Sequence, residues 1–484
     1  MILTIIGIYF AVILVISYFT GRKSASNEEF FMANRKSPWY IVAIGMLGDS
    51  ISGVTFISVP GMVGAFDMTY MQLVLGFFVG YFVVAYLLLP LYYKLNLVSI
   101  YTYLKIRFGV SSYKTGSSFF IVSRIVGTAS KLYLVILILQ SLVFGPMNIP
   151  FWLTVSVIVA AIWIYTFRSG MKTILWTDVL QTVCLITALV LIISQVASKL
   201  GFDLGDVVQT VKDSKHSRIF VFDDWQSPRN FVKQFLSGIF IVVVMTGLDQ
   251  NMMQKNLTCR SLKEAQKNMI TYGFGFIPLN YLFLVLGILL LVFASEFGIQ
   301  LPEKTDEILP ALASQYLGIP VLICFTIGIV ASSFSNADSS LTALTTAACV
   351  DLLGTDRMDP VKARRVRNVV HLLMALTLLG AILAIEHIGQ NNILDFIYKA
   401  VSYTYGPLLG LYFFGLFTRR KIRDKWTPLV CILAPVLSYL LEWLLMSSFS
   451  YKVGYEILLF NGAMTALGLW IISKNNCRDK TCLV

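Results

Sequence analysis

Within "FSNADSSLTALTTAACVD", Phe334 to Asp351, residues Ser335, Asp338, Ser339 and Thr342 recur at i, i+3, i+4 and i+7. That spacing puts side chains on one helix face. Ser332 lies one turn before them. Hydroxyls beside a carboxylate are hard oxygen donors, suited to a small hard cation that also recruits backbone carbonyls. The segment continues an apolar run from Val321, where a charge costs about 2.5–3.5 kcal/mol to insert into a membrane. Small hydroxyl residues also let helices pack closely and bond to their own i−4 carbonyls. Packing is the reading for Ser340, Thr345 and Thr346. It does not account for a carboxylate, so Ser335, Asp338 and Ser339 read as an ion site.

The other charged residues inside apolar runs are Asp49, Arg124, Lys131, Asp178, Asp249 and Glu442. Arg124 and Lys131 lie two turns apart on one face of "SRIVGTASKLY". Either they bind an anionic substrate or they neutralise Asp49 and Asp338; both readings stand. Asp178, in "ILWTDVLQT", reads as a helix-start carboxylate facing the N-terminal dipole. Asp249 caps the helix that follows "MTGLDQN", and Glu442 snorkels to the interface. His216, His371 and His387 have no ligand partner at useful spacing. There is no H-E-x-x-H, phosphate loop or nucleophile elbow, so no enzyme is expected.

These residues need a membrane to sit in. The chain has 484 residues, 57% hydrophobic and 13% charged, with a mean hydropathy of +0.75; soluble chains carry about a quarter charged. About thirteen apolar runs are long enough to cross hydrocarbon as helices. They fall near 2–20, 38–64, 70–93, 117–145, 150–167, 175–198, 234–256, 268–295, 319–350, 368–388, 392–417, 427–448 and 454–473. The fold class is all-α, a polytopic membrane protein.

A net charge of +12 would point to nucleic acid in a soluble protein. Here about 27 of the 38 Lys and Arg crowd short loops on one side, such as "DRMDPVKARRVR" and "TRRKIRDK". The positive-inside rule then sets the N-terminus outside and the C-terminus in the cytoplasm, in a plasma membrane of the bacterial inner-membrane type. The N-terminal run has its charges, Arg22 and Lys23, after the apolar stretch, which reads as a retained span rather than a signal peptide. Seven Cys lack framework spacing, and Cys477 with Cys482 reads as a free cytoplasmic pair rather than a metal site.

Two spans are interrupted, one at "LGDSISGVT" and one at "MTGLDQN". Paired interrupted spans in the two halves of a chain point to a midplane site. They divide one transporter domain into a peripheral helix 2–20, a first five-helix repeat 38–198, a second 234–417, two peripheral helices 427–473 and a tail 474–484.

In "SNEEFFMANRKSPWYIVAIGML", "SIYTYLKIRFG", "YTFRSGMKTILWTDVLQT", "DQNMMQKNL" and "YGPLLGLYFFGLFTRR" the chain resembles the sodium:solute symporters. That family includes bacterial proline, pantothenate, sialic acid and galactose carriers and animal sodium–glucose and sodium–iodide carriers. The resemblance implies a LeuT-type five-plus-five inverted repeat, alternating access, and symport of a small solute with one sodium ion or two. It implies a first sodium held by carbonyls of Gly48, Ile51 and Ser332 and side chains of Ser335 and Asn336. Ser or Thr is usual where this chain has Asn336. A candidate second sodium falls to Asp178 with Ser335, Asp338 and Ser339, and Asp338 is itself a departure from the family's small or hydroxyl residue. The solute would lie against Ser50, Ser52, Thr55, Gln72, Arg124, Lys131 and Thr246. Arg124 falls about one turn before the carboxylate-binding arginine of the sialic acid carriers, whose place Gly127 takes. The solute class is a carboxylate or a sugar, and the partners are that solute and the lipid bilayer, with no nucleic acid and no obligatory protein partner. Proton coupling, or a sodium-gated channel or sensor on the same fold, are the alternatives.

Overall fold

The computed structural model describes residues 4, 7–13, 15, 32–166, 171–387, 393–449 and 451–474. Most of the expected first span, and Cys477 and Cys482, lie outside the described residues. The rest is helical apart from one short antiparallel pair, Lys421–Ile422 with Ser473–Lys474. In hydrocarbon the backbone must satisfy its own hydrogen bonds, so long apolar runs become helices.

In chain order the helices are α1 (Trp39–Ser50), α2 (Gly53–Phe66), α3 (Tyr70–Lys94), α4 (Thr102–Arg107), α5 (Val110–Leu139) and α6 (Phe151–Thr166). They continue as α7 (Met171–Leu200), α8 (Leu204–Asp213), α9 (Phe231–Val242), α10 (Gln250–Asn256), α11 (Leu262–Glu296) and α12 (Ile308–Gln315). The last are α13 (Ile319–Thr346), α14 (Pro360–Glu386), α15 (Ile393–Phe417), α16 (Thr427–Phe449) and α17 (Ile457–Ile471). The expected span at 117–145 starts early, at Val110, because "VSSYKT" prolongs the helix beyond the apolar run.

Each half opens on a bent pair. α1 and α2 meet at 56°, and α9, prolonged by a π turn to Gly247, meets α10 at 69°. One order then recurs: a long helix (α3, α11), a short loop helix (α4, α12), and three further helices. At the first break Ile51 (φ −82°) and Ser52 (φ −79°) have ordinary backbone. The flanking glycines serve close approach instead. A Cβ on Gly48 would sit 2.0 Å from Thr182 Oγ1, and one on Gly53 would sit 2.5 Å from Ser333 Oγ.

Carbonyls freed at the second break are taken up by tyrosines: Tyr92 donates to Gly247 O (2.8 Å) and Tyr101 to Leu248 O (2.9 Å). Gln250 ties the start of α10 to the 98–100 loop, donating to Val98 O (2.9 Å) and accepting from Ile100 N (3.0 Å). A break in hydrocarbon persists only where such partners replace the lost ladder bonds.

α13 is the axis of the bundle, with every residue from Gly328 to Thr346 buried. α7 packs along it, while α16 has only 17% of its apolar window covered and lies at the periphery. α3 and α9 touch backbone to backbone. A Cβ on Gly76 would fall 2.2 Å from Phe235 O, and one on Gly238 would fall 2.3 Å from Leu73 O. Gly238→Val must therefore push the two helices apart. Overpacking of this kind costs about 1–3 kcal/mol, and the expected outcome is a lower thermal midpoint of the detergent-solubilised protein, with no such loss for Gly127→Ala, whose Cβ meets nothing within 4 Å.

Candidate ion and solute site

Four helices meet at one buried ammonium. Lys255 on α10 is fully buried, and its Nζ lies 3.0 Å from Asp49 Oδ2 and 2.7 Å from Asp178 Oδ2. Asn251, one turn earlier on α10, donates to the same Asp49 Oδ2 at 2.7 Å. From α13, Asn336 donates to the Asp49 carbonyl (3.0 Å) and to Asp49 Oδ1 (3.1 Å). Ser335 donates to Asp178 Oδ1 at 2.5 Å. Carboxylates from α1 and α7 thus share one cation from α10, and α13 closes the cluster.

Sequence reasoning missed Lys255. It lies in "DQNMMQKNL", close to the basic loop "CRSLKEAQK", and passes for a span-end charge. The available signal was the break itself, which shortens the following piece to seven residues and keeps its end near the middle of the bundle. Asp178 also departs from expectation. α7 starts at Met171, so Asp178 is two turns inside the helix and answers to Lys255 rather than to the N-terminal dipole.

Among the described residues neither Arg124 nor Lys131 forms a direct ion pair with Asp49 or Asp338. Arg124 donates from Nε to Ser340 Oγ (2.8 Å), and its Nη1 pairs with Asp249 Oδ2 at 3.4 Å. Asp249 also accepts from Tyr405 Oη (2.5 Å) and, as the cap of α10, from the Met252 N–H (3.2 Å). Lys131 makes no hydrogen bond or ion pair with any described residue.

Asp338 is buried without an ion pair among the described residues. Its Oδ1 accepts from the Ser339 N–H at 2.5 Å, and its Oδ2 has no partner. Ser339 Oγ and Thr342 Oγ1 are likewise buried and unpaired. Ser340, Thr345 and Thr346 donate to the carbonyls of Asn336, Leu341 and Thr342, four residues back in each case. Ser332 donates to Ile329 O at 3.2 Å. No three His, Cys, Asp or Glu side chains converge as a metal cluster among the described residues; hydroxyls and amides surround the acids instead.

A cavity of about 70 Å³ opens beside the first break. Ser50, Ser52, Thr55, Arg124, Lys131 and Thr246 line it, six of the seven positions expected for the solute. Gln72 lies elsewhere. Its side chain accepts from Val221 N (3.0 Å) and donates to Arg229 O (3.0 Å), pinning the loop after α8. The sequence reading did not single out the aromatic wall of Phe77, Tyr81, Tyr272, Phe276 and Tyr398. Ser50 bonds Tyr272 Oη at 2.5 Å, and Tyr81 donates to the same Oη at 2.9 Å.

Gly48 approaches Thr182 of α7, and Ile51 is the residue that ends α1 at the break. Among the remaining groups, Glu442 pairs with Lys399 at 2.7 Å and accepts from Tyr403, so it is held rather than snorkelling. His371 is clasped by Thr166 and Thr345, and His216 by Asp67.

Residues 30–424 match the profile of the Sodium:solute symporter family. The sodium/sialic acid symporter NanT of Aliivibrio fischeri is 26% identical over 424 residues, covering 85% of this chain and 82% of that one. The human sodium/iodide cotransporter is 24% identical over 412 residues, 82% of this chain and 62% of its own. A solved structure of a sodium-coupled sialic acid symporter, in a substrate-bound outward-open state, superposes with a TM-score of 0.82 at 19% identity, covering 98% of this chain and 99% of that one.

Removing one partner of a buried ion cluster leaves charge uncompensated, at a cost of about 3–5 kcal/mol. Lys255→Met is therefore expected to lower the thermal midpoint sharply. Adding Asp49→Asn should return part of the loss, because one of the two exposed carboxylates is gone. Sodium should stabilise the single variant more than the wild type, since an ion that binds only the folded state adds to its stability. Melting curves of the three proteins with sodium and with choline check all three expectations.

Proposed function

As the chain belongs to the sodium:solute symporter family, with its LeuT-type fold, and is a sodium-coupled solute symporter rather than an enzyme, we propose that it imports a small organic solute by alternating access. The protein spans a bacterial plasma membrane with its N-terminus outside and its C-terminus in the cytoplasm. Sodium and solute enter from outside, and the cavity beside the first break holds the solute.

The polar face of α13 against two broken spans carries this reading. Ser335 stands beside Asp178 and Asn336 beside the Asp49 carbonyl, so α13 touches both the break and the acid of α7. The first sodium takes the carbonyls of Gly48, Ile51 and Ser332 with the Ser335 hydroxyl. Asn336 at present offers its NH₂ to Asp49, and its Oδ1 is free to turn to the ion. The second sodium takes Asp178 Oδ1, Ser335, Asp338 and Ser339. Two of those oxygens, Asp338 Oδ2 and Ser339 Oγ, are buried with no partner of their own, and such groups call for a ligand.

Each charge carried inward down the membrane potential gains about 2.3 kcal/mol per 100 mV. Two sodium ions therefore double the drive of one. A second reading, proton coupling, rests on Asp338 alone, since a buried carboxylate with no counter-ion is also a proton site. A freely conducting channel is the less apt reading, because α13 is buried throughout its polar length.

The test is uptake into proteoliposomes. Ser335→Ala should raise the sodium concentration for half-maximal uptake by about tenfold, the worth of one charge-assisted bond. Asp338→Asn should abolish the cooperativity of the sodium response if Asp338 binds a second sodium. Sodium dependence left unchanged in Ser335→Ala would refute the site, and uptake that persists in choline and follows the pH gradient would transfer the drive to protons.

A further inference from the structure

The cavity carries one more piece of information: the charge of what it binds. Two cations line it, and they are not equivalent. Arg124 is fixed by Asp249 and Ser340, while its Nη2 is buried with no partner. Lys131 lies two turns further along α5, faces the same cavity, and has no hydrogen bond or ion pair with any described residue. Asp249 pairs directly with Arg124, and among the described residues no carboxylate lies within ion-pair distance of Lys131. A lone charge in the interior of a membrane protein is costly unless something neutralises it.

The remaining lining says what shape of anion fits. The hydroxyls of Ser52, Thr55 and Thr246 add donors to the lining. The same cavity is lined by the aromatic rings of Phe77, Tyr81, Tyr272, Phe276 and Tyr398. Among the described residues no Asp or Glu side chain lines the cavity, so its only charged groups there are the two cations.

Resting on the sodium-symport reading, we propose that the solute is a small organic monoanion, its carboxylate bound by Lys131 with the free Nη2 of Arg124 and its apolar part laid against the aromatic wall. Lys131 is the residue that selects for charge. Arg124 is held in place for that contact by Asp249 and by Ser340, whose hydroxyl in turn bonds the Asn336 carbonyl.

The experiment is binding to the purified full chain in sodium, read by thermal shift and titration calorimetry. The probes are lactate, propionate and benzoate, their neutral amides, the dianion succinate, and glucose. At least one monoanion should bind, and at least about tenfold more tightly than its amide. Lys131→Gln should erase that preference, while Lys131→Arg, which keeps the charge, should retain it. Binding of glucose or of an amide as tight as any acid, binding by none of the monoanions, or an acid preference undiminished in Lys131→Gln would each overturn the assignment. A monoanion that binds equally well in sodium and in choline would leave the charge assignment standing and instead count against sodium coupling.

Discussion

Everything around the site depends on the bridge from Lys255 to Asp49 and Asp178. Each of the three groups would be expensive to bury alone, and even a paired buried ion needs its remaining bonds filled. Asn251, Asn336 and Ser335 fill them. The consequence is mechanical. α1, α7, α10 and α13 contribute to one cluster; α1, α7 and α10 cannot separate without leaving a bare charge, and α13 cannot leave without stripping the acids of hydrogen bonds. Motion of the two broken spans must either carry the cluster along as a unit or be accompanied by another cation that takes over a carboxylate.

The breaks are what bring these groups together. A continuous helix through 231–256 would carry Lys255 straight on along the axis of α9. The 69° bend after Gly247 turns α10 aside, and Asp249 caps its first turn while holding Arg124. The first break leaves the Asp49 carbonyl to Asn336. Glycines at these points are there because Thr182 and Ser333 come too close for any Cβ. Tight packing and irregular backbone therefore share one cause, the convergence of α7 and α13 on the end of α1.

Much of this was legible in the sequence, and the reasons are physical. Span positions follow from apolar length, and the buried polar face of α13 from hydroxyls and an acid at helical spacing. Both are local properties. Lys255 was invisible for the opposite reason: its role depends on a bend several residues upstream and on two acids 206 and 77 residues before it. Asp178 was misplaced because its helix begins a full turn before the apolar run does, at Met171. Gln72 shows the same limit from another side. It is polar, in the right span, and spent on a loop that sequence pattern does not connect to it.

The charges also divide in space. On the ion side, counted as ionised, Asp49, Asp178 and Asp338 face the single Lys255, an excess of two negative charges. On the cavity side, with Asp49 counted with the ion cluster, the described charges are Arg124, Lys131 and Arg124's partner Asp249, an excess of one positive charge. Asn336 stands at the boundary, lining the cavity and bonding Asp49. Hydrogen bonds run on from Arg124 through Ser340 and Asn336 to Asp49, Lys255 and Asp178. On the proposed reading, two sodium ions and one monoanion bring both sides to neutrality. Partial loading leaves at least one side with charge uncompensated in a low-dielectric interior. An arrangement of that kind favours the full set of ligands over any part of it, which is what obligatory coupling requires of the binding energies.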